Sequence, residues 1–284
     1  VKPKAIRDPA RREARAALGG AGLRFACGPF VAELRAPLVS IADDFAARYA
    51  DVPLSEAAIV DYPFAFRRAP GRFGFVTKQI TLHRPGAAPL GPVDPARAVS
   101  LLGSALVQAI DASAHDFAVT RAAVLERHGF ALVLPGPCGN AAALAAALAP
   151  RGWRLLSLAR ALLRLADGAL LPLPLPDETL APALLRQALQ RGADPARARW
   201  IVFLGRGDGG AALEPLPKAR ALFGLVEATA NQAAIGTAGF DRLAQAVDGA
   251  GCYALRATMV DQAAIDDAAA ALDALGRSPA AQVA

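Results

Sequence analysis

The residues best placed to do chemistry lie in the string GPCGNAAA, from Gly136 to Ala143. A short apolar run, Ala131 to Leu134, precedes it, and an alanine- and leucine-rich run, Ala141 to Ala149, follows, so the order reads strand, tight turn over Pro135 to Asn140, helix. That is the position of a phosphate-binding loop, where glycines let the backbone approach the phosphates, a lysine reaches the outer phosphates and a hydroxyl holds magnesium. Counting the pattern Gly-x-x-x-x-Gly-Lys-Ser/Thr from Gly136, Ala141 stands at the second glycine, Ala142 at the lysine and Ala143 at the hydroxyl residue. Gly136 and Gly139 can still turn the chain around Pro137, Cys138 and Asn140. The string has the outline of a nucleotide cradle without its cation or metal-binding oxygen, and an ordinary strand-to-helix connection in an α/β domain reads the same way.

Other groups offer less. Cys138 precedes a helix, where a thiol pKa can fall, but a cysteine-phosphatase loop needs an arginine shortly after it and alanines follow. His115 beside Asp116 could act as a base against a positioned nucleophile, and the sequence supplies none. Asp43 and Asp44 face different directions from adjacent positions and lack a third ligand, so they read as exposed helix carboxylates. Arg151, Arg154 and Arg160 follow the loop and suit phosphate by charge, while an arginine-rich chain also carries such residues as solvent-facing or snorkelling side chains.

These groups need elements to hold them. Phe117 to Leu125 reads as a strand paired with Ala131 to Leu134 across a turn at Arg127 to Gly129. The apolar runs Arg154 to Ser157 and Ala161 to Leu165 suggest a crossover back to a neighbouring parallel strand. Upstream, a short helix is expected around Arg11 to Leu18, and strands over Leu23 to Ala26, Phe30 to Leu34, Ala57 to Arg68 and Gly71 to Leu82. Tyr62, Phe64 and Phe66 recur with period two, the signature of one sheet face. Arg84 to Pro95, rich in glycine and proline, reads as a linker, and Arg97 to Ala112 as a helix. Downstream, helices are expected over Leu180 to Gln190, Lys218 to Ala234, Phe240 to Val247 and Ile265 to Leu275. Trp200 to Leu204 and Cys252 to Leu255 read as strands and Gly205 to Gly210 as a turn. The expected division is an N-terminal α+β region with linker over 1–95, an α/β domain over 96–277 and a frayed tail over 278–284.

Several phrases together resemble the HprK-related kinase A proteins, distant relatives of bacterial HPr kinase/phosphorylase. They are LVLPGPCG at Leu132 to Gly139, RGWRLLS at Arg151 to Ser157, ALLRLADGALLPLPLP at Ala161 to Pro176, RWIVF at Arg199 to Phe203 and LEPLPKARALF at Leu213 to Phe223. The resemblance implies an α/β fold with a P-loop kinase-type core, like the C-terminal domain of HPr kinase, preceded by a smaller α+β region. It also implies ATP and magnesium as the family's cofactors and phosphoryl transfer to an acceptor. This chain departs from the family at each chemical position. Besides Ala141, Ala142 and Ala143, the family's Asp-Glu pair after RGWRLLS falls on Leu158 and Ala159, a family histidine falls on Arg121, and a late Asn-Tyr falls on Asn231 and Gln232. Phosphoryl transfer depends on electrostatic stabilisation and positioning, and loss of one good donor costs about 2.7–4 kcal/mol in rate terms. The expectation is therefore a degenerate, non-catalytic homologue that binds or scaffolds, with no catalytic residue and no cofactor of its own. A still-active phosphotransferase with displaced groups, and a protein kept for structural association, are the alternatives.

Composition narrows the setting. The 284 residues suffice for one large or two modest domains, and 54% hydrophobic content with mean hydropathy +0.32 argues for a folded chain, although alanine supplies much of it. Net charge is +6, from 31 basic and 25 acidic residues, which favours anionic partners. The arginines are dispersed and no stacking or recognition motif accompanies them, so a nucleic-acid partner is not expected; Arg11, Arg12 and Arg15 read as a solvated helix face. Three distant cysteines, Cys27, Cys138 and Cys252, fit a reducing compartment better than a disulfide framework. No signal core or membrane-spanning stretch stands out, so cytoplasmic residence without a membrane partner is expected, and a protein partner of unstated identity. The sequence leaves the oligomeric state open.

Overall fold

The computed structural model describes residues 22–36, 38–48, 54–69, 78–173, 194–207, 210–258 and 261–277, and shows a mixed α/β fold. The expected helices at Arg11 to Leu18 and Leu180 to Gln190, the residues 71–77 of one expected strand and the tail 278–284 lie outside the described residues. The chain divides into two compact units, residues 1–109 and 110–284. No described helix is long and apolar enough to cross a membrane.

The first unit is built on a five-stranded sheet in chain order: β1 (Leu23–Cys27), β2 (Phe30–Arg35), β3 (Tyr62–Arg68), β4 (Ile80–His83) and β5 (Leu90–Val93). β2 and β3 run parallel, and the other neighbours antiparallel. The period-two aromatics behave as expected, with Tyr62, Phe64 and Phe66 all buried on one face of β3. α1 (Val39–Arg48) sets Phe45 against Phe25, ring centroids 5.0 Å apart. Asp43 and Asp44 differ from expectation in being half-buried. Two further differences are physical. Ala57 to Asp61 stays outside the ladder, and the glycine- and proline-rich stretch expected as a linker supplies β5, an edge strand, where proline costs no ladder bond. Glu33 is buried between Arg24 and Arg35, at 2.9 and 2.8 Å; burial pushes its carboxyl up, and the two guanidiniums outweigh that and hold it below the usual range. Burial without any such partner pushes the Cys27 thiol up to about 12.

A helical turn at Pro95–Arg97, capped by the Asp94 side chain on Ala96 N at 2.8 Å, leads into α2 (Ala98–Ser113), which carries the division between the units.

The second unit centres on a nine-stranded sheet. Its strands are β6 (Phe117–Thr120), β7 (Ala122–Arg127), β8 (Phe130–Pro135), β9 (Arg154–Ser157), β10 (Ala161–Arg164), β11 (Ala169–Leu171), β12 (Ala196–Arg206), β13 (Ala212–Pro215) and β14 (Gly251–Ala257). β12 is the spine, parallel to β8 on one side and to β14 on the other, with β13 antiparallel outside β14. β7 pairs antiparallel with β8 across the Arg127 to Gly129 turn, as expected. The expected single strand from Phe117 to Leu125 is instead β6 and β7, broken at Arg121. The crossover after the loop also differs: β9 pairs antiparallel with β7, so β7 lies between β8 and the returning strand. Strands β7 and β8 are buried almost throughout, because helices cover both faces and no solvent face demands alternation.

α3 (Cys138–Leu148) and α6 (Gln262–Arg277) cover one face, packing Leu144, Leu148 and Leu272 onto Leu132, Val202 and Leu255. α4 (Lys218–Ala228) and α5 (Gln232–Gly249) cover the other, packing Leu225, Leu243 and Val247 onto Val133, Ile201 and Cys252. The expected helix from Lys218 to Ala234 thus ends at Ala228. α3 gives way to a 3-10 turn at Ala149–Arg151 and closes at Gly152, whose φ of 87° is the left-handed region that stops a helix.

Candidate functional site

The link from β8 to α3 is shorter than a phosphate cradle. β8 ends at Pro135, Gly136 turns the chain with φ 122°, Pro137 is the N-cap residue, and helix begins at Cys138. The turn expected to run to Asn140 therefore ends three residues earlier, at Pro137. Gly139 and Asn140 are exposed in the first helical turn, where propensity weighs little because the N–H groups lack intrahelical partners anyway. Ala141 and Ala142 are buried, at 2% and 4% exposure, and Ala143 is half-buried. The position aligned with the nucleotide lysine thus packs into the interior. The side chain of Cys138 lies outside the described atoms.

Arg121, at the break between β6 and β7, ties this link to the end of α4. Its carbonyl accepts from Gly136 N at 3.0 Å, its own N–H donates to Ala228 O at 2.9 Å, and its Nη2 donates to Glu227 O at 3.3 Å. Thr120 and Thr229 join their hydroxyls beside it at 3.0 Å. Asn231 is a buried staple for β6: its Nδ2 donates to Ala114 O and Phe117 O at 2.7 and 2.8 Å, and its Oδ1 accepts from Val119 N at 2.9 Å. All three partners are backbone atoms, so the side chain positions the strand next to Arg121. Gln232 is exposed and donates to Val226 O.

Leu158 and Ala159 follow β9 and are half-buried, with Leu158 against the core beneath α3. Neither carries an ionisable or ligating group. The arginines near the loop are engaged within the protein. Arg160 makes a fork to Asp111, Nε to Oδ1 and Nη2 to Oδ2 both at 2.8 Å. Arg154 pairs with Glu126 at 2.7 Å, and Arg151 donates to Ala147 O. His115 and Asp116 are exposed beyond α2, and no cluster of three or more His, Cys, Asp or Glu gathers among the described residues.

The structure brings Gly136, Pro137 and Arg121 together with Arg160, Phe203 and Glu227 around a cavity of about 430 Å³. Its walls are largely apolar, and its charges are two guanidiniums and one carboxylate. That arrangement can hold an anionic group on an apolar bed; at the four aligned positions it offers alanine and leucine where a phosphotransferase needs lysine, hydroxyl and acid. Sequence reasoning singled out Arg121, Gly136, Pro137 and Arg160. It missed Phe203 and Glu227, which reach the cavity from β12 and α4 and carry no local motif.

No protein-family model matches the chain, and no curated protein matches it.

Proposed function

We propose that this protein is a degenerate relative of the HprK-related kinase A proteins, with a P-loop kinase-type core in its second half, and that it binds or scaffolds a partner without transferring phosphate. The observation that carries the reading is the β8–α3 link: Gly136 and Pro137 are the whole connection, and Ala142 is buried at 4% exposure. A two-residue link leaves little backbone to wrap a phosphate, and a buried alanine has no cation to offer it. Parallel pairing of β8, β12 and β14, with a helix directly after β8, is compatible with that ancestry.

Calorimetric titration with ATP, with and without magnesium, tests it. The expected result is no measurable heat at millimolar ATP and no magnesium-dependent turnover in a coupled hydrolysis assay. Micromolar binding, about 8 kcal/mol, together with turnover would replace this reading with an active phosphotransferase whose cations are Arg121 and Arg160, both of which line the cavity.

A further inference from the structure

Phe203, Gly224 and Glu227 line both the cavity at the β8–α3 link and a second cavity of about 560 Å³ beside it, so the two adjoin as a surface groove whose ends meet where the Phe203 ring packs against Gly224. The floor of the second end is a row of sheet positions. Phe203 pairs with Ala254 and Ala254 with Glu214, while Gly205 pairs with Arg256, so these residues share one face of β12, β14 and β13. α4 is the facing wall. Arg220, Phe223 and Glu227 recur at three- and four-residue spacing, which sets them along one side of that helix.

The groove is basic with an apolar bed. Arg121, Arg160, Arg206, Arg220 and Arg256 line it, against the carboxylates of Glu214 and Glu227. Arg160 is paired with Asp111 and Arg256 with Glu214 at 3.1 Å, whereas Arg121, Arg206 and Arg220 have no carboxylate partner among the described residues. Phe223 is 73% exposed at the rim, a large apolar ring left in water beside unpaired cations.

The geometry points to an acidic, extended segment of a partner protein as the occupant of this groove. Its carboxylates meet Arg121, Arg206 and Arg220, and an apolar side chain covers Phe203 and Phe223. Side chains alternate along an extended peptide and can set acid against arginine and hydrocarbon against phenylalanine. An unbroken phosphate backbone cannot alternate in this way and would be repelled by Glu214 and Glu227. The inference rests on the binding role proposed above and gives that role a partner chemistry.

The test is fluorescence anisotropy on the full chain with a fluorescein-labelled peptide in which glutamate alternates with leucine and phenylalanine. Saturable binding is expected, weakening as salt rises. Affinity should fall at least about tenfold in the double variant Arg206→Glu, Arg220→Glu and again in Phe223→Ser, with thermal unfolding of both variants matching that of the unaltered chain. The salt response and a matched lysine peptide are measured on the unaltered chain and need no variant. Unchanged affinity in folded variants, equal binding of the lysine peptide, or preference for a labelled single-stranded oligonucleotide each overturns the proposal. ATP turnover in the same preparations separates the two readings: turnover with an intact peptide response removes the non-catalytic reading and keeps the groove, and absence of both removes the groove alone.

Discussion

Asp273 accepts a hydrogen bond from the indole N–H of Trp153 at 3.1 Å, across 120 positions of sequence. The same carboxylate oxygen accepts from Arg127 Nη1 at 2.6 Å, the second oxygen accepts from Arg277 at 2.8 Å, and the Arg127 guanidinium lies 4.6 Å from the Trp153 ring centroid. One buried acid on α6 therefore fastens that helix to the end of β7 and to the residue before β9. Asp273→Ala strips a largely buried guanidinium of its carboxylate and an indole of its acceptor, and is expected to cost about 3–5 kcal/mol in urea unfolding. Asp273→Asn keeps one acceptor oxygen and should cost less; equal losses would mean that packing, not the polar cluster, holds α6.

Gly276, one turn further along α6, sits against the same cluster. A β-carbon there would collide with Arg127 Nη2 and lie 2.8 Å from Trp153 Cζ2. Alanine improves helix propensity by about 1 kcal/mol, while overpacking against a fixed tryptophan costs about 1–3 kcal/mol. Gly276→Ala is expected to lower the thermal unfolding temperature, and a rise would show that Arg127 swings aside without penalty.

Lys218 opens α4 and closes α5. Its Nζ donates to Val247 O at 2.6 Å, to Asp248 O at 3.3 Å and to Ala250 O, carbonyls in the last turn of α5 and at its C-cap, of which Val247 O also accepts from Ala250 N at 3.2 Å. Lys218→Met keeps the hydrocarbon and removes the cation. The expected loss is about 1 kcal/mol, with faster amide hydrogen exchange in the last turn of α5; an unchanged exchange rate there would count against the cap.

Glu126 supplies an acid-side signature. Its carboxylate accepts from Gly129 N at 2.9 Å and from Arg154 Nε at 2.7 Å. Burial pushes its pKa up, and the hydrogen bonds from Arg154 and Gly129 outweigh burial and hold it below the ordinary glutamate value of 4.5. A carboxyl depressed in the folded state contributes stability that is present above its unfolded value and lost as pH falls through the folded one. Glu126→Gln should therefore destabilise at neutral pH and flatten the decline in urea midpoint below the glutamate range. A decline as steep as that of the unaltered chain would place the acid sensitivity elsewhere, with Glu33 the next group to change.

The β7–β8 hairpin and the body of α3 are legible in the sequence because both faces of that sheet region are covered, leaving uninterrupted apolar runs around the His128–Gly129 turn. The early start of α3 is not legible, since Cys138, Gly139 and Asn140 form helix poorly in isolation. The break at Arg121 is equally silent: what divides β6 from β7 is bonding to Gly136 and Ala228, and the latter is far along the chain. An apolar run such as Leu155 to Ser157 says that it will be a strand without saying which neighbour it takes. Asp273 reads as one more carboxylate on an acidic amphipathic helix until Trp153 and Arg127 are folded beneath it. The groove is assembled from β12, β13, β14 and α4, and no single stretch announces it.

The central position of β12 also sets a kinetic order. Ile201 takes Val133 as its ladder neighbour on one side and Cys252 on the other; β11 reaches only Ala196 and Arg197, so the stretch of the spine from Trp200 to Arg206 gains its β14 neighbour only after the chain has been made that far. Both pairings close long loops before they return any ladder energy, which slows folding relative to a sheet of hairpins. A ribosome pausing between β12 and β14 would hold out a long strand with an unsatisfied edge, the form in which this chain is most exposed to pairing with the wrong partner.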